Sequence, residues 1–256
     1  MIVDAHLHLD ERHDGTAAGA ARELDRQIHE AGVDHVIALH LEMQGWPMRE
    51  FAEALAPFPR IHGFVNVHPH HAGAGAALRE AIEELGFIGL KLHPRLQEFG
   101  VDDEQTVQVC ILAGELGVPV LIDAFPDGTH LMQGFDPVRY ANLAKRCPGT
   151  RFIWAHMGGH RVIDFMMLAK RLPNVYMDFS YSLLYYRTSS VPADLVYAMR
   201  SMRFDRVFYG SDYPDRPLKL SLDLALEQLR ALGLVDVELD KLLGANAAAL
   251  FGWNVA

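Results

Sequence analysis

Histidine and aspartate residues at the two ends of the chain have the types and spacing of a metal site. His6 and His8 stand two residues apart in the short apolar stretch VDAHLHL. In a β-strand, residues i and i+2 point to the same face, so this pair offers two imidazoles to one point. Such a pair suits Zn²⁺, Mn²⁺ or Fe²⁺. The alternative is a pair of core histidines whose nitrogens are satisfied within the protein.

Asp212 follows a second apolar stretch, in the phrase YGSDYP. A carboxylate at this place can bind the same metal and can also accept a proton from a metal-activated water. The alternative is an aspartate that only stabilises the turn before Pro214.

Six further apolar stretches end in a side chain that can ionise or bind a metal. These residues are His40, His68, Lys91 with His93, Asp123, His156 and Asp178. Ionisable groups beside packed strands are costly to bury, and a purely structural protein would scatter them. Their recurrence at strand ends predicts that they converge on one functional site.

Several of these residues, and some that follow them, are candidates for substrate binding. Lys91 and His93 share one face of a predicted strand, and we interpret Lys91 with Arg95 as cationic anchors for a substrate carboxylate. A structural Lys–Asp pair is the alternative. His68 can contact substrate or be structural. Tyr181, in the aromatic loop SYSLLYYRTSSVP, can form a wall for a planar or anionic substrate or belong to an oligomer interface.

The elements that must position these residues recur along the chain in one order. A helix-like run ends in Gly or Pro, and a short apolar run that reads as a buried strand follows. The predicted strands are residues 2–8, 35–41, 61–68, 89–93, 119–123, 151–156, 175–179 and 207–212. Alternating β and α elements predict a (β/α)₈ TIM barrel of the α/β class, formed as a single domain over residues 1–256. A doubly wound open sheet is the alternative, but the chain has no GxGxxG phosphate loop.

Composition excludes several other classes of protein. The chain has 256 residues, 50% of them hydrophobic, and a formal net charge of −10, which disfavours nucleic acid and anionic membranes as partners. The two cysteines form no disulfide framework. We find no membrane-spanning stretch and no signal peptide, so we expect a cytoplasmic protein with a small-molecule substrate. A homo-oligomer is compatible with the sequence.

The sequence resembles the amidohydrolase superfamily, and within it the branch called amidohydrolase-related, or amidohydrolase family 2. The matching phrases are VDAHLHL, GLKLHP, FIWAHMGG, FYGSDYP and GANAAALFGW, in the family's order from residue 3 to residue 253. The resemblance implies a distorted barrel with one metal at the strand ends. It also implies that His6 and His8 are first-strand ligands and that Asp212 is the eighth-strand ligand and base. By the same resemblance, His156 touches the substrate or the activated water.

The fifth strand departs from the family pattern. Members usually end it in a phrase like PVLIH, whose histidine binds the metal, whereas this chain has PVLIDAF with Asp123 at that place. Asp123 can replace the histidine as an oxygen ligand. Alternatively, His156 or His93 completes the metal shell and Asp123 lies behind it. In a third hypothesis the metal binds weakly or is absent, as is thought for some lactonase relatives.

We therefore expect a hydrolase with one divalent ion, Zn²⁺ first and Mn²⁺ or Fe²⁺ as alternatives, held by His6, His8, Asp123 and Asp212. Asp212 accepts the proton as water attacks a small amide, lactone or ester, and His156 stabilises the oxyanion. A non-oxidative decarboxylase of an aromatic or muconate-type acid is the first alternative. A metal-free lactonase or a non-catalytic binding barrel is the second, and a nuclease is disfavoured by the negative charge.

Overall fold

The computed structural model describes residues 1–253. Its strands are β1 (Val3–Leu7), β2 (His35–Leu39), β3 (Ile61–Asn66), β4 (Gly89–Leu92), β5 (Val120–Ile122), β6 (Phe152–Trp154), β7 (Val175–Asp178) and β8 (Val207–Phe208). The α-helices are α1 (Ala17–Ala31), α2 (Met48–Leu55), α3 (Ala74–Glu83), α4 (Pro94–Gln97), α5 (Glu104–Glu115), α6 (Gly128–Met132), α7 (Pro137–Arg146), α8 (Val162–Ala169), α9 (Ser182–Tyr185), α10 (Val191–Ser201), α11 (Leu218–Ala231), α12 (Asp236–Asp240) and α13 (Asn246–Phe251). Short 3₁₀ and π segments lie at Glu42–Gln44, Ala155–Arg161 and Lys241–Ala245.

The eight strands are parallel and adjacent in chain order, from β1 to β8. Backbone hydrogen bonds bring β8 and β1 together, from Ala5 N to Tyr209 O at 2.9 Å and from Asp212 N to His6 O at 2.9 Å. The strands thus form a nearly closed barrel with helices between them, which is a TIM barrel. The predicted (β/α)₈ fold is confirmed.

Buried apolar side chains form two layers. One layer fills the barrel interior and includes Ile37, Phe64, Leu121 and Phe208, with Leu250 of α13 packed against it. The other layer lies between the strands and the surrounding helices. Burial of each such large side chain contributes about 1.5 to 3 kcal/mol, so the strand framework beneath the site is rigidly held.

The strands stop earlier than the sequence predicts. β6 ends at Trp154 rather than at His156, and β8 ends at Phe208 rather than at Asp212. The backbone at His156 and at Asp212 is left-handed, with φ of 61° and 56°, which a strand does not accommodate. The predicted boundaries are wrong at these ends, because the chain turns there to present its polar side chains.

Within residues 1–253, no helix has both the length and the apolar character that crossing a membrane requires. The last three residues of the domain predicted over residues 1–256 lie outside the described residues.

Candidate active site

A cavity of about 470 Å³ opens where the strands end. The strand-end residues and substrate-binding candidates predicted from the sequence all line it, except His40, His68 and Asp178. Its lining comprises His6, His8, Leu41, Lys91, His93, Arg95, Leu96, Asp123, Phe125, Asp127, His156, Tyr181, Tyr185, Asp212 and Pro214. His68 lies in a neighbouring cavity of about 240 Å³, where its Nε2 atom is 2.8 Å from Gln97 O.

An irregularity in β1 turns its two histidines toward the cavity. The pairing of β1 with β2 shifts register between Asp4 and Leu7. Ala5 packs in the barrel interior, whereas Leu7 packs in the outer layer. Side-chain alternation is therefore reversed across the shift, as a β-bulge would do. His6 and His8 consequently both face the cavity.

The Nε2 atoms of His6 and His8 converge on Asp212 Oδ1, at 3.3 Å and 3.9 Å. One ligand atom of each of the three residues lies within 4.8 Å of the others. Ligands about 2.1 Å from a tetrahedral zinc ion stand roughly 3.4 Å apart. The three side chains therefore fit a divalent metal ion.

The outer nitrogens of the two histidines are held by acceptors. His6 Nδ1 lies 3.0 Å from Asp178 Oδ2, and His8 Nδ1 lies 3.0 Å from Leu39 O. Donation of Nδ1–H to these acceptors leaves each Nε2 lone pair facing the cavity. Burial lowers the pKa of His6, and burial together with the charge of Lys91 lowers that of His8 well below its usual value. Both rings are thus neutral, the form that binds a metal.

Gly210 lies just after β8 and lets this segment approach β1 closely, which places Asp212 beside His6. A Cβ atom at Gly210 would lie 2.7 Å from His6 Cβ and 2.8 Å from Ser180 Cβ, so no larger residue fits without displacement. The backbone N–H of Asp212 donates to His6 O at 2.9 Å. This bond fixes the carboxylate relative to the histidine pair.

His156 and Asp123 form a second buried pair in the cavity. His156 Nε2 lies 3.2 Å from Asp123 Oδ1, and His156 Nδ1 lies 3.0 Å from Ser180 O. Both ring nitrogens thus face acceptors, which a protonated imidazolium satisfies. Burial lowers the pKa of His156, but the hydrogen bond to Asp123 and the charge of Asp212 outweigh burial and raise it to about 9. His156 is therefore protonated at neutral pH in the metal-free protein.

The role of Asp123 as a metal ligand stays a prediction. Within residues 1–253, two groups of potential ligands come together, and Asp123 belongs to neither. One is His6 with His8 and Asp212, and the other is His6 with His156 and Asp178. The carboxylate of Asp123 faces the imidazole that would otherwise be available to the metal.

The two predicted cationic anchors have different surroundings. Lys91 is 1% exposed and lines the cavity, and it makes no ion pair within the described residues. Burial lowers its pKa, although the charge of Asp123 opposes this. Arg95 is already bound, with Nη1 2.8 Å from Asp127 Oδ2 and Nε 3.9 Å from Asp123 Oδ2. Lys91 is thus the freer of the two basic side chains.

The remaining wall of the cavity is neutral and aromatic. His93 accepts the N–H of Leu96 at 3.4 Å, and burial lowers its pKa to about 3. Phe125 packs edge to face on Tyr181, with their ring centroids 5.1 Å apart, and Tyr181 stacks on Tyr185, with ring centroids 4.8 Å apart. Residue types and spacing predict a role for Tyr181 but not for Phe125, which follows β5 by three residues. That position after a strand is the signal that could have found it.

The fold and the cavity define a TIM-barrel protein with a candidate metal centre at its strand ends. The amidohydrolase family model, Amidohydro_2, matches residues 3–253. This chain therefore belongs to the amidohydrolase family, whose members are enzymes that include hydrolases and decarboxylases. The resemblance seen in the sequence is confirmed. A comparison with curated protein sequences gave no match.

Solved structures of related proteins share the fold. A probable 2-pyrone-4,6-dicarboxylic acid hydrolase from Acinetobacter baumannii, with citric acid bound, is 15% identical, with a TM-score of 0.70 over 98% of this chain and 99% of its own. An amidohydrolase from Burkholderia multivorans with bound zinc is 15% identical, with a TM-score of 0.69 over 99% of this chain and 100% of its own. A 2,6-dihydroxybenzoate decarboxylase complexed with 2,6-dihydroxybenzoate is 16% identical, with a TM-score of 0.65 over 98% of this chain and 99% of its own.

Proposed function

We propose that this chain is a metal-dependent hydrolase that acts on a small amide, lactone or ester carrying a carboxylate. The observation that carries the proposal is the convergence of His6 and His8 Nε2 on Asp212 Oδ1, at 3.3 Å and 3.9 Å, in the cavity. Two neutral imidazoles and a carboxylate form a donor set that suits Zn²⁺, with Mn²⁺ or Fe²⁺ as alternatives. The bound zinc of the Burkholderia multivorans amidohydrolase supports zinc as the first choice.

His6, His8 and Asp212 would hold a divalent ion, which would supply a Lewis acid and make a bound water more acidic. The Asp212 side chain is 20% exposed, so solvent water reaches it. We propose that Asp212 accepts a proton from the attacking water and then delivers that proton to the leaving group.

Positive charge in the cavity wall selects and stabilises the substrate. We assign the positive charge of His156 the stabilisation of negative charge on the carbonyl oxygen during attack; this acts through its charge, because both ring nitrogens already face Asp123 and Ser180. Lys91 donates to the substrate carboxylate, because it is buried against the cavity without a carboxylate partner among the described residues. Arg95 contributes less, since Asp127 already holds its guanidinium at 2.8 Å.

A metal-dependent decarboxylase is the second candidate, and the aromatic wall favours it. Phe125, Tyr181 and Tyr185 pack together at the cavity and present ring faces and edges to a flat ligand. The similar 2,6-dihydroxybenzoate decarboxylase holds an aromatic acid. Release of CO₂ without net addition of water distinguishes this reaction from hydrolysis.

Metal analysis combined with a substrate panel tests the proposal. We expect about one zinc per chain, and hydrolysis of a carboxylate-bearing lactone, ester or amide that a chelator abolishes and Zn²⁺ restores. His8→Ala should lose both metal and turnover, whereas His29→Ala, on the exposed face of α1, should lose neither. Turnover by a protein that stays metal-free after soaking in Zn²⁺ would refute metal dependence and favour the metal-free lactonase. Neither metal nor turnover would favour a binding barrel.

A further inference from the structure

Asp178, at the end of β7, contacts both His6 and the backbone of His156 from the side away from the cavity. The residue is 0% exposed and is absent from the cavity lining, so it does not touch a bound substrate. We propose that Asp178 is a positioning residue, which fixes the metal-binding form of His6 and the orientation of His156 through a single carboxylate. The inference rests on the proposed function, because the site it serves is the metal centre proposed above.

The first contact of Asp178 sets the proton position on His6. Asp178 Oδ2 lies 3.0 Å from His6 Nδ1, and a carboxylate can only accept at that distance. The ring proton is therefore on Nδ1, and the Nε2 lone pair points to Asp212 Oδ1 at 3.3 Å. A carboxylate behind a ligating imidazole also increases the basicity of that imidazole.

The other oxygen of Asp178 holds the backbone and side chain that support His156. Asp178 Oδ1 accepts the N–H of His156 at 3.1 Å and the N–H of Ser180 at 3.1 Å. It also accepts the hydroxyl of Ser180. Ser180 O and Oγ each lie 3.0 Å from His156 Nδ1. The left-handed turn at His156, with φ of 61°, is thus held by the same carboxylate that orients His6.

These contacts predict the effect of replacing the carboxylate by an amide of the same shape. In Asp178→Asn, the amide oxygen can still accept the two backbone N–H groups, so the amide NH₂ must face His6 Nδ1. That nitrogen then has to accept, which moves the ring proton to Nε2 and removes the lone pair from the metal centre. We expect the variant to fold, and to bind Zn²⁺ and Co²⁺ about 10- to 100-fold more weakly.

The experiment compares wild type, Asp178→Asn and Ser180→Ala. Metal affinity is measured by competition with a chromophoric chelator, and the tautomer of His6 is read from ¹⁵N chemical shifts of the metal-free protein. Ser180→Ala keeps the contact between Asp178 and His6, so its metal affinity should stay within about 2-fold of wild type while the ¹⁵N signals of His156 change.

Asp178→Asn with unchanged metal affinity and an unchanged His6 tautomer would overturn the inference. Equal weakening of metal binding in Ser180→Ala would also overturn it, since the effect would then be general loosening. Both readouts are independent of turnover. Absence of hydrolysis would therefore refute the proposed function while leaving this test of Asp178 valid.

Discussion

Replacing Asp123 by Asn separates the two roles that this residue can have, metal ligand and partner of His156. The structure supports the second role, since Asp123 Oδ1 lies 3.2 Å from His156 Nε2 and Asp123 joins neither group of potential ligands within residues 1–253. Asn is nearly isosteric but carries no charge. We therefore expect Asp123→Asn to retain its metal while the pKa of His156 falls.

The size of the effect follows from the raised pKa of His156. Burial lowers this pKa, yet the hydrogen bond to Asp123 and the negative charges of the nearby carboxylates raise it from 6.5 to about 9. At 1.36 kcal/mol per pKa unit, the difference corresponds to about 3 kcal/mol in favour of the protonated ring. Loss of one opposite charge at hydrogen-bond distance lowers a pKa by about 1 to 3 units. We expect the pKa of His156 in the metal-free variant to lie between about 6 and 8.

The same change alters how stability depends on pH. Because the pKa of His156 is higher in the folded than in the unfolded protein, its stabilisation is complete below pH 6.5 and is lost as the pH rises through about 9. In Asp123→Asn this loss should be smaller, by up to about 3 kcal/mol. Urea unfolding of both metal-free proteins at pH 6 and pH 10 measures the difference.

Three measurements decide the outcome: metal content, NMR titration of His156, and the pH dependence of kcat/KM. The alkaline limb of the pH profile should move to lower pH in Asp123→Asn if the imidazolium of His156 is required. Loss of metal from the variant would refute the reasoning and establish Asp123 as a ligand. Retained metal with an unchanged pKa of His156 would show that the contact between the two residues is unimportant.

Two further perturbations test the remaining contacts. Lys91→Met should raise KM for a carboxylate substrate by about 10- to 100-fold and leave an uncharged analogue unaffected, because a charge-assisted hydrogen bond contributes about 1.5 to 3 kcal/mol. Arg95→Met should raise KM less, since Asp127 holds that guanidinium at 2.8 Å, and a larger effect at Arg95 would contradict the assignment. Gly210→Ala should lower the free energy of unfolding by about 1 to 3 kcal/mol, because its Cβ would lie 2.7 Å from His6 Cβ. Gly149→Ala, where a Cβ meets nothing within 4 Å, is the control, and equal stability of the two variants would contradict the packing argument.

The sequence by itself determined the barrel and the set of residues at its mouth. Local periodicity and helix-ending glycines, such as Gly32 after α1 with φ of 66°, mark each βα unit without any long-range information. Parallel strands in chain order bring their carboxyl ends to one rim. Side chains at those ends therefore had to meet, and His6, His156 and Asp212 do line one cavity.

Only the tertiary structure decided which of these side chains contact each other. The register shift in β1 aims His6 and His8, and the left-handed backbone at His156 brings its ring to Asp123. Asp178 was predicted only to lie with the other strand-end residues, yet its carboxylate accepts hydrogen bonds from groups 22 and 172 residues away along the chain. Such pairings depend on bulges and loop dihedrals set by packing between distant segments, which residue types and spacing do not encode.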